Sequence, residues 1–415
     1  MTVILYGAGT EGAAAASYFA QRGIEPLLCD DNGVALPGTR AATREETLAA
    51  LPGSIFLRSP GIPPTHPVVA AATRDAALAT TPTGYWLLHE KAPSTFTVTG
   101  TKGKSTTTAL LAALLQAGGV KTALCGNIGA PALTDPLPET EAAALEVSSY
   151  MMHDLPEADH FHIVTNLYKD HMDWHGSEAA YREAKLRPFR FAVPRPGLAP
   201  RPLIEAERLP STVAALEDVA PLEGNRLSVG GKSLDLEALS PVWRGPSVFA
   251  LRAAVAAAAQ LLSTSDLLAA TEDLARRWTS LPARQETVPS SDGRQWVDDP
   301  LATIPEAALS ALKGFAGRKV VLLLGGADRG QDFGELIEAL KADCDVTPIA
   351  FGPAGRRLPF AQAESFEDAI AMATEQCPKG GVILFSPAAP SSPPFANYKE
   401  RSAVFRRAAE RAQPI

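Results

Sequence analysis

Seven residues, Gly100-Thr101-Lys102-Gly103-Lys104-Ser105-Thr106, carry the strongest chemical signal in the sequence. A strand pattern runs into them and a helical pattern leaves them. Their backbone N–H groups therefore face outward at the positive end of a helix, where phosphate oxygens bind. Lys104 is placed to reach the β- and γ-phosphates of a nucleotide, and the Ser105 hydroxyl to ligate Mg²⁺. Val98 stands where the common pattern G-x-x-x-x-G-K-[ST] has its first glycine. Two further groups follow strands: Glu146 lies in the run Ala142–Val147, and Asp170 with His171 comes after His162–Thr165. Open α/β sheets bind ligands beyond the carboxyl ends of their strands, which predicts that loop, Glu146 and His171 converge beside Mg²⁺ and ATP phosphates. Gly7-Ala8-Gly9-Thr10-Glu11-Gly12 is a second glycine turn, with Asp30 about twenty residues on. Such a turn suits a dinucleotide, any other diphosphate, or tight strand–helix packing alone.

Three segments must position these groups. Residues 1–91 read as strands at Val3–Tyr6, Pro26–Cys29 and Ile55–Leu57, with a helix through Ala13–Gln21. This is the punctuation of a parallel sheet. Lys91-Ala92-Pro93-Ser94 reads as a linker into residues 92–282, where a strand at Phe96–Val98 feeds the loop and the helix Thr106–Gln116 leaves it. Residues 192–245 are rich in Pro and Gly with weak periodicity, and Ala250–Leu262 is helical. Residues 283–415 alternate short apolar runs (Val320–Leu324, Val346–Phe351, Val382–Phe385) with helical patterns, a further doubly wound α/β unit.

The whole chain of 415 residues is long enough for two to four domains. Its net charge of −8 disfavours nucleic acid as a partner, since phosphate backbones need clustered Lys and Arg. No apolar run reaches the roughly 20 residues that span a bilayer, and Met1–Gly7 lacks a basic leader. The expectation is a cytoplasmic protein with no membrane partner. Cys29, Cys125, Cys344 and Cys377 lie far apart, without metal-ligand spacing, and read as buried thiols.

More motifs accompany the phosphate loop: Gly126-Asn127-Ile128-Gly129, Glu146-Val147-Ser148-Ser149-Tyr150, NLYKDHMD over Asn166–Asp173, and YREAK over Tyr181–Lys185. Toward the C-terminus come Leu281-Pro282-Ala283-Arg284, Val297-Asp298-Asp299, GGADRG over Gly325–Gly330, and Ser386-Pro387-Ala388. In this order, over nearly the whole chain, they resemble the Mur ligase family of ATP-dependent amide-forming enzymes. The resemblance implies an α/β protein of three domains: N-terminal Rossmann-like, central P-loop ATPase-like and C-terminal Rossmann-like. It implies ATP and two Mg²⁺ ions, held by Gly100–Thr106, Ser105, Glu146, His171 and a carbamylated Lys185. Lys104, His171 and Lys185 would be catalytic, and Arg284 and Asp299 would meet the phosphate and ribose of ATP. Asn127 and Ser148 would line the muramoyl-peptide site, while Thr10, Asp30 and Ser59-Pro60-Gly61 would hold UDP. Arg329, Ser391 and Tyr398 would bind the amino acid.

The implied reaction joins glutamate, D-glutamate favoured, to UDP-N-acetylmuramoyl-L-alanine in a monomeric enzyme. Some residues depart from that pattern. Gly245-Pro246-Ser247-Val248-Phe249 replaces the family's H-N-x-x-N, and Pro300-Leu301-Ala302-Thr303 replaces S-K-A-T. Trp174-His175-Gly176 and Thr303-Ile304-Pro305 look more like relatives that add L-glutamate. Outside the family, the sequence leaves open a nicotinamide oxidoreductase using Gly7–Gly12, or an inactive nucleotide-binding protein.

Overall fold

A computed structural model describes residues 1–134, 140–240 and 242–413. The chain divides into two compact units: Met1–Leu234 with Ala250–Leu274, and Asp235–Phe249 with Ala275–Ile415. Among the described residues no helix is long and apolar enough to cross a membrane.

The first unit holds two parallel sheets. In one, β1 (Val3–Tyr6), β2 (Leu27–Cys29), β3 (Arg40–Ala41), β4 (Ile55–Arg58) and β5 (Leu78–Thr80) lie in the order β3-β2-β1-β4-β5. In the other, β6 (Ser94–Thr99), β7 (Thr122–Gly126), β8 (Ala142–Glu146), β9 (Phe161–Val164), β10 (Gly197–Ala199) and β11 (Val213–Ala215) lie in the order β11-β10-β9-β6-β8-β7. Every residue of β1 and β8 is buried, as expected of strands covered by helices on both faces. One apolar core runs through both sheets, from Leu5, Phe19 and Trp86 through Ala92 to Cys125, Leu145 and Met152. The expected linker is therefore not a solvated tether, since Ala92 is part of that core. The poorly periodic stretch supplies β10 and β11, then a small sheet of β12 (Leu222–Glu223), β13 (Arg226–Val229) and β14 (Lys232–Asp235), in which β12 and β13 pair antiparallel.

In the second unit, β15 (Glu286–Val288), β16 (Gln295–Asp298), β17 (Val320–Gly325), β18 (Val346–Phe351), β19 (Ala361–Ala363) and β20 (Val382–Phe385) form the sheet β15-β16-β20-β17-β18-β19. Only β15 runs antiparallel to its neighbour. The helix expected at Ala250–Leu262 spans Pro246–Ala258, beginning on a proline whose fixed φ suits a first turn. Three cysteines are buried as expected, but Cys344 is exposed, because it follows the helix Gly334–Ala342 in the turn before β18.

Candidate active site

The phosphate loop sits where the spacing put it, between β6 and the helix Lys104–Ala117. Gly100 has φ +144°, and a Cβ there would lie 2.0 Å from Thr165 Oγ1, so only glycine fits. The loop is held from behind by the residues that follow β9. Asn166 Oδ1 accepts from Lys102 N at 2.9 Å, and Asn166 Nδ2 donates to Lys102 O at 3.0 Å. Thr165 Oγ1 donates to the same carbonyl at 2.6 Å, and Thr101 N donates to Asn166 O at 3.0 Å. The Thr101 hydroxyl lies 2.8 Å from Tyr181 OH and accepts from Tyr168 N. Lys104 Nζ donates to Gly100 O and Thr101 O, folding over the loop it is expected to serve.

Glu146 closes β8 at 1% exposure. Its Oε1 accepts from Asn127 Nδ2 at 3.1 Å, while the buried Oε2 meets no hydrogen-bond donor. A buried carboxylate oxygen without a donor is costly unless something absent from the chain pairs with it. Lys185, 2% exposed on the helix Glu178–Leu186, donates to Thr99 Oγ1 at 3.2 Å, and its carbonyl lies 3.0 Å from His162 Nε2. Burial first, and Lys104 next, hold its ammonium well below the usual lysine range. The opposing pull of Asp170 and Glu146 places Lys185 among the same charged groups. Burial thus disfavours the charged form of this side chain. His171 is also lowered, mainly by burial and further by Lys185, Lys104 and Lys102, against Asp170. Its Nδ1 lies 2.9 Å from Tyr150 OH. The carboxylate oxygen of Glu146 that lacks a donor and the Ser105 hydroxyl are oxygen donors suited to a hard cation, while burial disfavours the charged forms of His171 and Lys185.

The Ser148 hydroxyl caps the short helix Ser149–Met152 by accepting from Met151 N, and Asn127 is exposed beside Glu146. At the first glycine turn, Asp30 Oδ2 accepts from Ala8 N at 2.8 Å and Oδ1 from Asn32 N at 2.9 Å. Ser59 Oγ donates to Gly7 O at 3.0 Å, while Thr10 and Gly61 are exposed. Sequence reasoning passed over Glu11 here. It is buried, hydrogen-bonded by Thr83, and raised by burial to about 7.

In the second unit, Asp299 follows β16 and accepts from Ser386 Oγ at 3.0 Å and Gln285 N at 3.3 Å. Burial raises its carboxyl to about 7, against the charge of Arg284. Arg401, fully buried, donates to Gly325 O, Ala389 O, Pro390 O and Pro300 O, tying together the loops beyond β17, β20 and β16. Arg329 is exposed, and Ser391 and Tyr398 are half-buried.

Backbone strain marks the same places. Among the described residues five non-glycines have positive φ: His171, Arg208, Ala283, Gln285 and Ala388. All but Arg208 are an expected site residue, flank Arg284, or lie in Ser386-Pro387-Ala388. Such conformations cost about 1–3 kcal/mol each and persist where surrounding contacts enforce them.

The sequence pattern of the Mur ligase middle domain matches residues 98–196. A UDP-N-acetylmuramoyl-L-alanine–L-glutamate ligase of Micromonospora sp. is 34% identical over 98% of this chain and 96% of its own. The chain belongs to the Mur ligase family. An identically named ligase of Xanthomonas euvesicatoria is 35% identical over 97% of this chain and 94% of its own. The crystal structure of a MurF ligase from Thermotoga maritima with ADP superposes with a TM-score of 0.61 at 16% identity, covering 88% of this chain and 96% of that one. That likeness is one of fold. This Mur ligase is an ATP-dependent enzyme, and the nicotinamide oxidoreductase reading of its first glycine turn gives way.

Besides Glu11, the sequence reading passed over the residues that brace the phosphate loop and His171 of the ligase. Thr165, Asn166, Tyr150 and Tyr181 lie in or beside the quoted motifs, and no charge or nucleophile marks them out.

Proposed function

We propose that this ligase joins L-glutamate to UDP-N-acetylmuramoyl-L-alanine in peptidoglycan precursor synthesis, consuming ATP. The observation that carries this reading is the end-to-end similarity to relatives named for L-glutamate. Trp174-His175-Gly176, which resembles the ligases that add L-glutamate, lies in the aromatic cluster around Tyr150 and His171. In this reading residues 1–91 take the UDP-sugar, 92–282 the ATP and 283–415 the glutamate.

The substrate's terminal carboxylate attacks the γ-phosphorus, releasing ADP and forming an acyl phosphate; the amino group of glutamate then displaces phosphate to give the amide. No protein nucleophile is required. The Gly100–Thr106 loop holds the phosphates with its N–H groups, and Lys104 swings from its carbonyl partners to the β/γ-oxygens, where charge builds. Lys185, whose charged form burial disfavours, would give up a proton, add as the amine to carbon dioxide and lose a second proton, becoming a carbamate with two oxygens. Ser105, Glu146, His171 and that carbamate would hold two Mg²⁺ ions, which when bound neutralise phosphate charge. Asn127 orients Glu146, and Tyr150 orients His171. Thr10, Asp30, Ser59 and Gly61 hold the UDP moiety, Asn127 and Ser148 line the muramoyl-peptide site, Arg284 and Asp299 meet the nucleotide, and Arg329, Ser391 and Tyr398 receive glutamate.

The test is ADP release by the purified protein with ATP, Mg²⁺, bicarbonate and UDP-N-acetylmuramoyl-L-alanine, supplied with L-glutamate or D-glutamate. Turnover with L-glutamate alone is expected. Turnover with D-glutamate alone moves the assignment to the other stereoisomer, and silence with both overturns the substrate.

A further inference from the structure

The loop after β4 is gripped from two directions. From beneath, the buried Arg58 donates to Pro60 O at 2.8 Å and Ile62 O at 3.0 Å. The same guanidinium pairs with Asp154 through both carboxylate oxygens and donates to Tyr150 O. From above, Trp174 Nε1 donates to Gly61 O at 3.1 Å. Arg58 builds the fold: it is buried, paired at both ends, and its loss would leave Asp154 and several carbonyls without partners. Trp174 is different. Its contact to the loop is a single hydrogen bond at the surface.

Trp174 comes from the short helix Met172–His175, whose N-terminal neighbour is His171. Its indole stacks on Tyr150, with centroids 4.6 Å apart and planes 25° apart, and Tyr150 OH lies 2.9 Å from His171 Nδ1. The Arg58 guanidinium lies 5.4 Å from the indole centre. On the other side, Ser59 Oγ donates to Gly7 O, joining the loop to the first glycine turn. A continuous path of contacts therefore runs from Gly7 through Ser59, Gly61, Trp174 and Tyr150 to His171.

We propose that Trp174 is a positioning residue that fixes the Ser59–Gly61 loop, and with it the UDP-bearing substrate, relative to His171. The proposal rests on the functional reading above for the identity of that substrate. The indole N–H sets where the loop lies, and the indole face sets where Tyr150 and its hydroxyl lie. These two roles are separable. Trp174→Phe keeps a ring on Tyr150 and loses the donor to Gly61. Tyr150→Phe keeps the stack and loses the hydroxyl at His171.

Initial rates of wild type, Trp174→Phe and Tyr150→Phe, with each substrate varied in turn, test this. Trp174→Phe should raise KM for UDP-N-acetylmuramoyl-L-alanine about five- to tenfold, the scale of one lost hydrogen bond. KM for ATP and for glutamate should stay within about twofold, and so should kcat. Tyr150→Phe should lower kcat and leave KM for the UDP substrate unchanged. Thermal unfolding of both variants should match wild type. An unchanged KM for the UDP substrate in Trp174→Phe, or an equal rise in all three, overturns the proposal. Should wild type turn over neither glutamate, the substrate assignment fails by itself, and calorimetry with UDP alone decides the present point. Weaker binding of UDP to Trp174→Phe than to wild type upholds it; equal affinity, or no binding to either, overturns it.

Discussion

Asn166→Ala should weaken ATP binding although Asn166 is not itself expected to contact ATP. Its amide is bonded on both sides to the peptide groups of Lys102, at 2.9 and 3.0 Å, inside the loop that must present its N–H groups to phosphate. Each such bond contributes a net ~0.5–1.5 kcal/mol, so losing both loosens the loop by about 1–3 kcal/mol. At 1.4 kcal/mol per tenfold, ATP affinity falls about 5- to 150-fold. Asn166→Asp keeps the acceptor, loses the donor and sets a negative charge beside the phosphates, so it should bind ATP no better than the alanine variant. Calorimetry with ATP and Mg²⁺ reads the loss directly, and UDP binding serves as control because its glycine turn belongs to the other sheet. ATP affinity within about twofold of wild type, in a folded variant, would refute the view that Asn166 holds the phosphate loop. An equal loss of UDP affinity would show the effect to be general rather than local.

Lys185→Ala should lower kcat by about a hundredfold or more, with partial recovery on adding acetate or propionate, whose carboxylate can enter the vacated space; no response to either carboxylate would count against an oxygen ligand at this position. Asp299, ordinarily near 3.8 and raised to about 7, holds its proton in the folded chain after the unfolded chain has lost it. Stability therefore falls as pH rises between about 4 and 7, by up to about 4 kcal/mol. Asp299→Asn should remove that loss, and denaturant titrations at pH 5 and pH 8 that stay parallel for the two proteins would contradict it. Gly12→Ala sets a Cβ 2.3 Å from Gly7 O and should cost about 1–3 kcal/mol, seen as a lower Tm; an unchanged Tm would show that the turn yields.

The buried strands were readable because burial on both faces leaves nearly unbroken apolar runs: VILY at β1, VVLLLG at β17 and VILF at β20. β10 and β11 were not, since GLA and VAA carry too few residues for a pattern and become strands only as β10 pairs with β9 and β11 with β10. Asp30 shows the same division within the site. Its distance from the glycine turn was plain in the sequence, but only the fold shows both carboxylate oxygens bound to backbone N–H groups.

By itself the sequence determined which residue types stand where: a phosphate loop before a helix, a carboxylate and an imidazole at or after the ends of strands, and Lys185 in the run YREAK. Those are local facts, fixed by residue type and by the direction in which strands hand over to loops. Only the tertiary structure decided their burial and their bracing. Burial and Lys104 disfavour the charge on Lys185, and neither cause is visible along the chain. Glu146 has an oxygen without a donor because β8 ends inside the core, and Asn166 becomes a support because β9 lies beside β6. Such effects depend on distance in space and on exclusion of water, and sequence order specifies neither until the chain is folded.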